Sequence, residues 1–273
     1  MKPPFAYYGG KMTLAQAIVD LLPAHEHYVE PFAGSLAVLL AKAPARMETV
    51  NDLDQDLMTF WRVLRDRPDE LAAAAALTPH GKAEFEASRD LDVPNELERA
   101  RRVWVLLTQS RSNTLRMTGW RHYQDPAGSS SSFPRYLQGY VERMPPAALR
   151  LRGVTLECRD ALDVIRDYGR HDKVLLYVDP PYLRTSRNSL GYRCEMGKPA
   201  EHEALAEALR EAKASVVLSG YDSPLYEDLY AGWDTARLDA WTGNGATGEG
   251  DRVEVLWSNR PFAREATLFG ETA

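Results

Sequence analysis

The spacing of apolar residues along the chain changes several times, and the order of those changes predicts a fold. In "MTLAQAIVDLL" (12–22) apolar side chains return every three to four positions, the spacing of a helix with one buried face. "HYVEPF" (27–32) is a short strand-like run that feeds "AGSLAVLLAKA" (33–43), a helix rich in small residues. "METVNDL" (47–53) reads as a second strand, and "DQDLMTFWRVLRDRPDEL" (54–71) returns to a helical period. Strand, helix, strand in this order predicts a right-handed parallel crossover.

The strand signal then fades. "DELAAAAAL" (69–77) and "NELERARRVWVLLTQSR" (95–111) read as helices, and "SNTLRMTGWRHYQDPAGSSSS" (112–132) as a polar, turn-rich loop. "FPRYLQGYVERM" (133–144) is helical, and "MPPAALR" (144–150) is expected to break that helix. The α/β rhythm resumes with "VTLECRD" (154–160), "ALDVIRDYG" (161–169) and "KVLLYVD" (173–179). It continues with "PAEHEALAEALREAK" (199–213), "SVVLSGYD" (215–222) and "SPLYEDLYAG" (223–232). Near the end, "WDTARLDAW" and "DRVEVLWSN" flank "TGNGATGEGD" (242–251), the pattern of an antiparallel hairpin. The reading is an α/β, Rossmann-like mixed sheet with a terminal hairpin. A catalytic core is expected over 1–56 and 151–273, interrupted by a mainly helical insertion over 57–150.

Bulk properties narrow this picture without deciding it. Of 273 residues, 44% are hydrophobic and 26% charged, enough to bury a core. No apolar stretch nears the roughly 20 residues that span a bilayer, and "MKPPFAYYGGK" has no signal-peptide centre. The two cysteines, Cys158 and Cys194, argue against a disulfide framework or a clustered metal site. A reduced, cytoplasmic setting with no membrane, no metal and no obligate protein partner is expected. The net charge of −6 does not advertise nucleic acid, yet residues 99–122 hold six arginines and no Asp or Glu. That segment is either a solvated helix face or a phosphate-binding surface.

Four motifs carry candidate chemistry. In "VEPFAGS" (29–35) a glycine follows a strand and precedes a helix, where backbone can approach a ligand. "GGKMT" (9–13) is no phosphate loop: the spaced glycine is missing, and Met12 stands where Ser or Thr would hold magnesium. Asp52, about twenty residues on, suits ribose hydroxyls, with Asp54 as rival; either acid could instead cap the next helix. Asp160 is a third strand-end acid with the same capping alternative. "DPPY" (179–182) is the sharpest. Asp179 offers acceptor oxygens, Pro181 restrains the Pro180 carbonyl, and Tyr182 supplies a flat face. Two acceptors beside an aromatic plate suit a planar ring with an exocyclic amine.

"DPPY", "VEPFAGS", "YYGGK" (7–11), "NDLD" (51–54) and "SVVLSGYD", in this order around an insertion, resemble the Dam-type DNA adenine-N6 methyltransferases over nearly the whole chain. The resemblance implies a class I methyltransferase core with S-adenosylmethionine as methyl donor and double-stranded DNA as partner. It places Tyr8, Gly10, Lys11, Glu30, Phe32, Gly34, Asp52 and Asp160 around the cofactor. Asp179, Pro180 and Tyr182 would hold an adenine flipped out of the duplex. Arg111, Asn113, Arg116 and Arg121 would contact DNA, and Trp120 and Tyr123 would either fill the vacated gap or pack the insertion. The family's F-x-G-x-G has leucine at its second glycine here, Leu36, which bears on cofactor affinity. Two alternatives remain: the same chemistry on RNA or a glutamine amide, and a silent DNA-binding homologue.

Overall fold

The structure, a computed structural model, describes residues 1–116, 118–122, 132–183, 193–194, 196–240 and 252–263. Tyr123, much of the serine-rich loop and the glycine-rich "TGNGATGEGD" lie outside the described residues. Seven strands build one sheet: β1 (His27–Glu30), β2 (Met47–Asn51), β3 (Val154–Glu157), β4 (Val174–Val178), β5 (Ser215–Tyr221), β6 (Asp234–Ala240) and β7 (Arg252–Ser258). Their spatial order is β3-β2-β1-β4-β5-β7-β6. The first five run parallel, and β7 lies antiparallel between β5 and β6. This is the Rossmann-like methyltransferase topology that the alternation of elements predicted.

Every residue of β4 is buried, as a parallel strand covered on both faces requires. Its side chains divide by parity: Leu175 and Tyr177 join one apolar cluster, and Val174, Leu176 and Val178 the other. The second face is covered by α9 (Ala161–Tyr168), α10 (Pro199–Arg210) and α11 (Pro224–Leu229). The first is covered by α1 (Ala15–Leu21), α2 (Ala37–Ala41), α3 (Gln55–Asp66) and the helices that follow α3. The chain winds outward from β1 through β2 to β3, then restarts at β4 on the other side of β1. Such a reversal opens a crevice at the carboxyl ends of the two central strands.

The helical stretch departs from the sequence reading in three places. The run 54–71 divides into α3 and α4 (Pro68–Ala76), because Pro68 disfavours a helical Arg67 and then serves as the first residue of a new helix. "MPPAALR" does end the preceding α7 (Phe133–Val141), but its prolines occupy the first turn of α8 (Met144–Leu151), where no N–H is needed. A short α5 (Lys82–Ala87) was not legible, since only Phe85 of its six residues is buried. The remaining helix, α6 (Glu96–Gln109), lies against α3. Phe5 from the N-terminal segment packs against Phe60 and Trp61 at 5.1 Å each. The indole of Trp104 on α6 donates to the Pro4 carbonyl at 3.1 Å. No helix among the described residues is long and apolar enough to cross a membrane.

Leu36 caps α2 in the left-handed region, at φ 55° and ψ 30°, with its side chain fully buried. A non-glycine residue there carries strain of roughly 1–2 kcal/mol, offset by the apolar surface it buries. The strain predicts an inverted order of truncation. Leu36→Ala keeps the strain and empties the core, so it should cost roughly 2–5 kcal/mol. Leu36→Gly relieves the strain and should cost less, as urea denaturation of the two variants would show.

Candidate active site

β1 ends at Glu30, whose Oε1 accepts from the Tyr28 hydroxyl at 2.6 Å and from the Leu39 N–H of α2 at 2.8 Å. Burial pushes the Glu30 carboxyl up to about 8, against the pull of those two donors. The chain then turns through Gly34 at φ 48°, and Gly34 N–H donates to Asp52 Oδ2 at 3.0 Å. Asp52 Oδ1 accepts from the Asp54 N–H, also at 3.0 Å. Burial raises Asp52 to about 6, and those backbone donors hold it down only partly. The rival acid is spent elsewhere: Asp54 caps α3 by accepting from Asp56 and Leu57, and it pairs with Arg193. Asp52 is therefore the strand-end acid that faces the crevice.

The N-terminal loop forms the opposite wall. Gly10 fits because a Cβ there would lie 3.0 Å from both Ser35 Oγ and the Tyr7 carbonyl. Lys11 reaches across to β4: its Nζ donates to Asp179 Oδ1 at 2.7 Å, Asp179 Oδ2 at 2.8 Å and the Gly9 carbonyl at 2.9 Å. Glu254 Oε1 of β7 lies 3.6 Å from the same ammonium. Lys11 and Glu254 are only 5% and 4% exposed, so these charges face each other with little screening. Burial alone would lower the Lys11 ammonium, yet Asp179 and Glu254 outweigh it and hold the group above its ordinary value. Burial raises Asp179, with Lys11 opposing.

Tyr182 is buried beneath this pair. Its hydroxyl lies 3.0 Å from Asp179 Oδ1 and in short contact with Glu254 Oε1, which also accepts from Ser219 Oγ at 2.5 Å. The ring packs edge-on against Tyr221, centroids 4.6 Å apart, and Lys11 Nζ sits 4.9 Å from its centroid. Two cavities flank the motif and share Phe32 and Pro181 as walls. The narrow one, about 50 Å³, is lined by Tyr8, Gly10, Lys11, Glu30, Phe32, Gly34, Asp52 and Asp179, among others. The wider one, about 420 Å³, is lined by Leu53, Asp160, Leu162, Cys194 and Met196, among others. Among the described residues no cluster of His, Cys, Asp or Glu could hold a metal.

With that geometry in view, the family model for D12 class N6 adenine-specific DNA methyltransferases matches residues 7–242. The chain belongs to this family. It is 24% identical to a type II methyltransferase, M1.LlaDCHI of Lactococcus lactis subsp. cremoris, over 95% of both chains. It is 25% identical to the DNA adenine methylase of Serratia marcescens, covering 81% of this chain and 84% of the relative. For the DNA adenine methylase of Escherichia coli K12 the figures are 24%, with 81% of each chain covered.

Seven of the eight positions read as cofactor-binding thus line one cavity, and Asp179 lines it with them. Asp160 lines the adjoining cavity and at the same time caps α9 through the Leu162 N–H, so its two readings are compatible. Pro180 is buried and lines neither cavity. The DNA-binding candidates scatter. Arg111 is exposed beside the Trp120 carbonyl, and Arg116 is half-buried. Asn113, at φ 49°, accepts the Tyr8 N–H on its carbonyl at 2.9 Å, tying the loop to the wall of the narrow cavity. Arg121 is drawn inward, donating to the Thr108 carbonyl at 3.0 Å with its guanidinium over Phe133 and Tyr136. Trp120 stacks between His80 and His122 and packs the helical layer.

The basic segment is less free than its composition suggested. Arg99 pairs with Asp56, Arg101 with Glu84 and Glu98, and Arg102 with Glu98, all acids outside the 99–122 window. Sequence reasoning missed Glu254 altogether, and it marked "SVVLSGYD" without giving Ser219 or Tyr221 a role. The available signal was one acid inside the apolar run "VEVLW", at a position followed by four buried residues of β7.

Removing the ammonium should reveal how strongly the site depends on it. Lys11→Met leaves two buried carboxylates unopposed and should cost roughly 3–5 kcal/mol at neutral pH. Without Lys11, the folded-state value of Asp179 rises further above its unfolded value. The folded state then binds the extra proton, so the deficit should shrink as pH falls through that raised value. Denaturation at about pH 7.5 and about pH 5.5 checks the sign.

Proposed function

We propose that the enzyme methylates N6 of an adenine that has left a DNA duplex, with S-adenosylmethionine as donor. The observation that carries this reading is the position of Asp179. It directly follows β4 at the sheet's switch point and lines the polar cavity, which shares Phe32 and Pro181 with the wider one of about 420 Å³. The lining suits the cofactor: Asp52 offers carboxylate oxygens to ribose hydroxyls, and Phe32, Leu53, Leu162 and Pro181 offer apolar walls to a purine. Bound there, S-adenosylmethionine would supply an electrophilic methyl on its sulfonium.

Asp179 and the Pro180 carbonyl accept the two hydrogens of the target amine, orienting its lone pair toward the methyl group. Tyr182 supplies the platform beneath the base. Holding the reacting atoms in line removes much of the entropic barrier, and the buried walls exclude water. We assign residues 57–150 to target recognition, with Arg111, Asn113, Arg116 and Arg121 as the DNA-contacting set. The Tyr8–Asn113 contact supports that assignment, because DNA held on the loop would be felt directly at the cofactor wall.

Labelled methyl transfer to duplex DNA, RNA and peptide tests the reading. Label in DNA N6-methyladenine is expected, and label in RNA or peptide alone would overturn it. Asp179→Ala should abolish transfer while retaining the cofactor. Arg116→Ala should weaken DNA binding more at low than at high salt. Asp52 serves the ribose as a carboxylate, so cofactor affinity is half-maximal at about pH 6 and falls further as it protonates. Calorimetry should show roughly fourfold weaker binding at about pH 5.5 than at about pH 7.5, a difference that Asp52→Asn flattens.

A further inference from the structure

Both oxygens of Asp179 are engaged by Lys11, at 2.7 and 2.8 Å, and the Tyr182 hydroxyl lies 3.0 Å from one of them. Oδ2 holds the ammonium at 2.8 Å and keeps an acceptor site, which a target amine would have to share with it. A carboxylate already shared with a buried ammonium is a weaker acceptor, and it strengthens when the ammonium shifts toward another anion. Lys11 is 5% exposed and cannot turn to water in place. Among the described residues, two carboxylates lie within 4.0 Å of its Nζ: Asp179 and, at 3.6 Å, Glu254.

We propose that Glu254 takes the Lys11 ammonium from Asp179 when the target amine docks, acting as a positioning residue for methyl transfer. The inference rests on the reading of Asp179 as the holder of that amine. Glu254 is fixed for the task. It pairs with Tyr221 in the β5–β7 register, and its Oε1 accepts from Ser219 Oγ and Tyr182 Oη. The ammonium needs to move by less than about 1 Å to reach charge-assisted hydrogen-bond distance. The Tyr182 hydroxyl, which has one proton to give, can stay on Glu254 and leave Asp179 at the same time. The shift strengthens Asp179 as an acceptor for the amine and keeps the ammonium buried between the two carboxylates.

Glu254→Gln keeps an acceptor for Tyr182 and Ser219 and removes only the charge. Its single-turnover methyl-transfer rate on duplex DNA should fall about ten- to a hundredfold, with DNA and cofactor dissociation constants nearly unchanged. In a Lys11→Met background the same substitution should cost far less, because no ammonium remains to be moved. A wild-type rate in Glu254→Gln, or an equal loss in both backgrounds, overturns the proposal. Should Glu254→Gln fail to fold by near-ultraviolet circular dichroism, Glu254→Asp and Glu254→Asn differ from each other in charge alone. The aspartate variant is expected to be faster, and equal rates overturn the proposal. Asp179→Asn separates the two levels: if it keeps full rate, the underlying reading of Asp179 fails. If it loses transfer while Glu254→Gln does not, only the role of Glu254 fails.

Discussion

A buried ammonium between two carboxylates sits where the two central strands of the sheet end, and the surrounding architecture is arranged to make that placement tolerable. Desolvating Lys11, Asp179 and Glu254 is costly, and their mutual attraction offsets the cost only if the geometry is tight and other polar atoms are satisfied. β4 fixes Asp179 by burying every residue that precedes it. β7 fixes Glu254 from the far side of β5. The N-terminal loop fixes Lys11 and is itself pinned by the Tyr8–Asn113 hydrogen bond. Three chain segments distant in sequence thus meet at one charge cluster.

The acids at the strand ends illustrate how neighbours divide chemically similar residues among different tasks. Asp52 and Asp54 are two residues apart, yet one faces the crevice and the other satisfies the first turn of α3 and binds Arg193. Asp56 continues the ion pairs to Arg99 on α6. The catalytic sheet and the helical layer are joined by this polar bridge. They are joined also by the Trp61 indole, which donates to the Gly34 carbonyl at 3.1 Å. A displacement of α3 would therefore be transmitted to the glycine turn that lines the narrow cavity.

Leu36 shows the same economy in a different form. The family pattern expects a glycine there, and the backbone still adopts the conformation that glycine favours. The side chain goes into the core instead of toward the crevice, so the departure strains the helix cap without narrowing the cavity.

The sequence by itself determined the order of the strands and of most helices, the terminal hairpin and the strand-end positions of the crevice residues, because hydrophobic period and turn chemistry are local properties. It also marked "DPPY" as a site, since an acid before two prolines and a ring has a rigid local geometry. Local pattern was silent wherever a partner lies far along the chain. It preferred Asp52 but kept Asp54 as a rival, because Arg193, which engages Asp54, lies 139 residues away. It presented residues 99–122 as a free basic face, because Asp56 and Glu84, which offset that charge together with Glu98, belong to other helices. It passed over Glu254, because an acid in an apolar strand acquires meaning only when β7 inserts beside β5 and brings it to Lys11. Charge pairing across the sheet acts through space, and only the folded chain sets those distances.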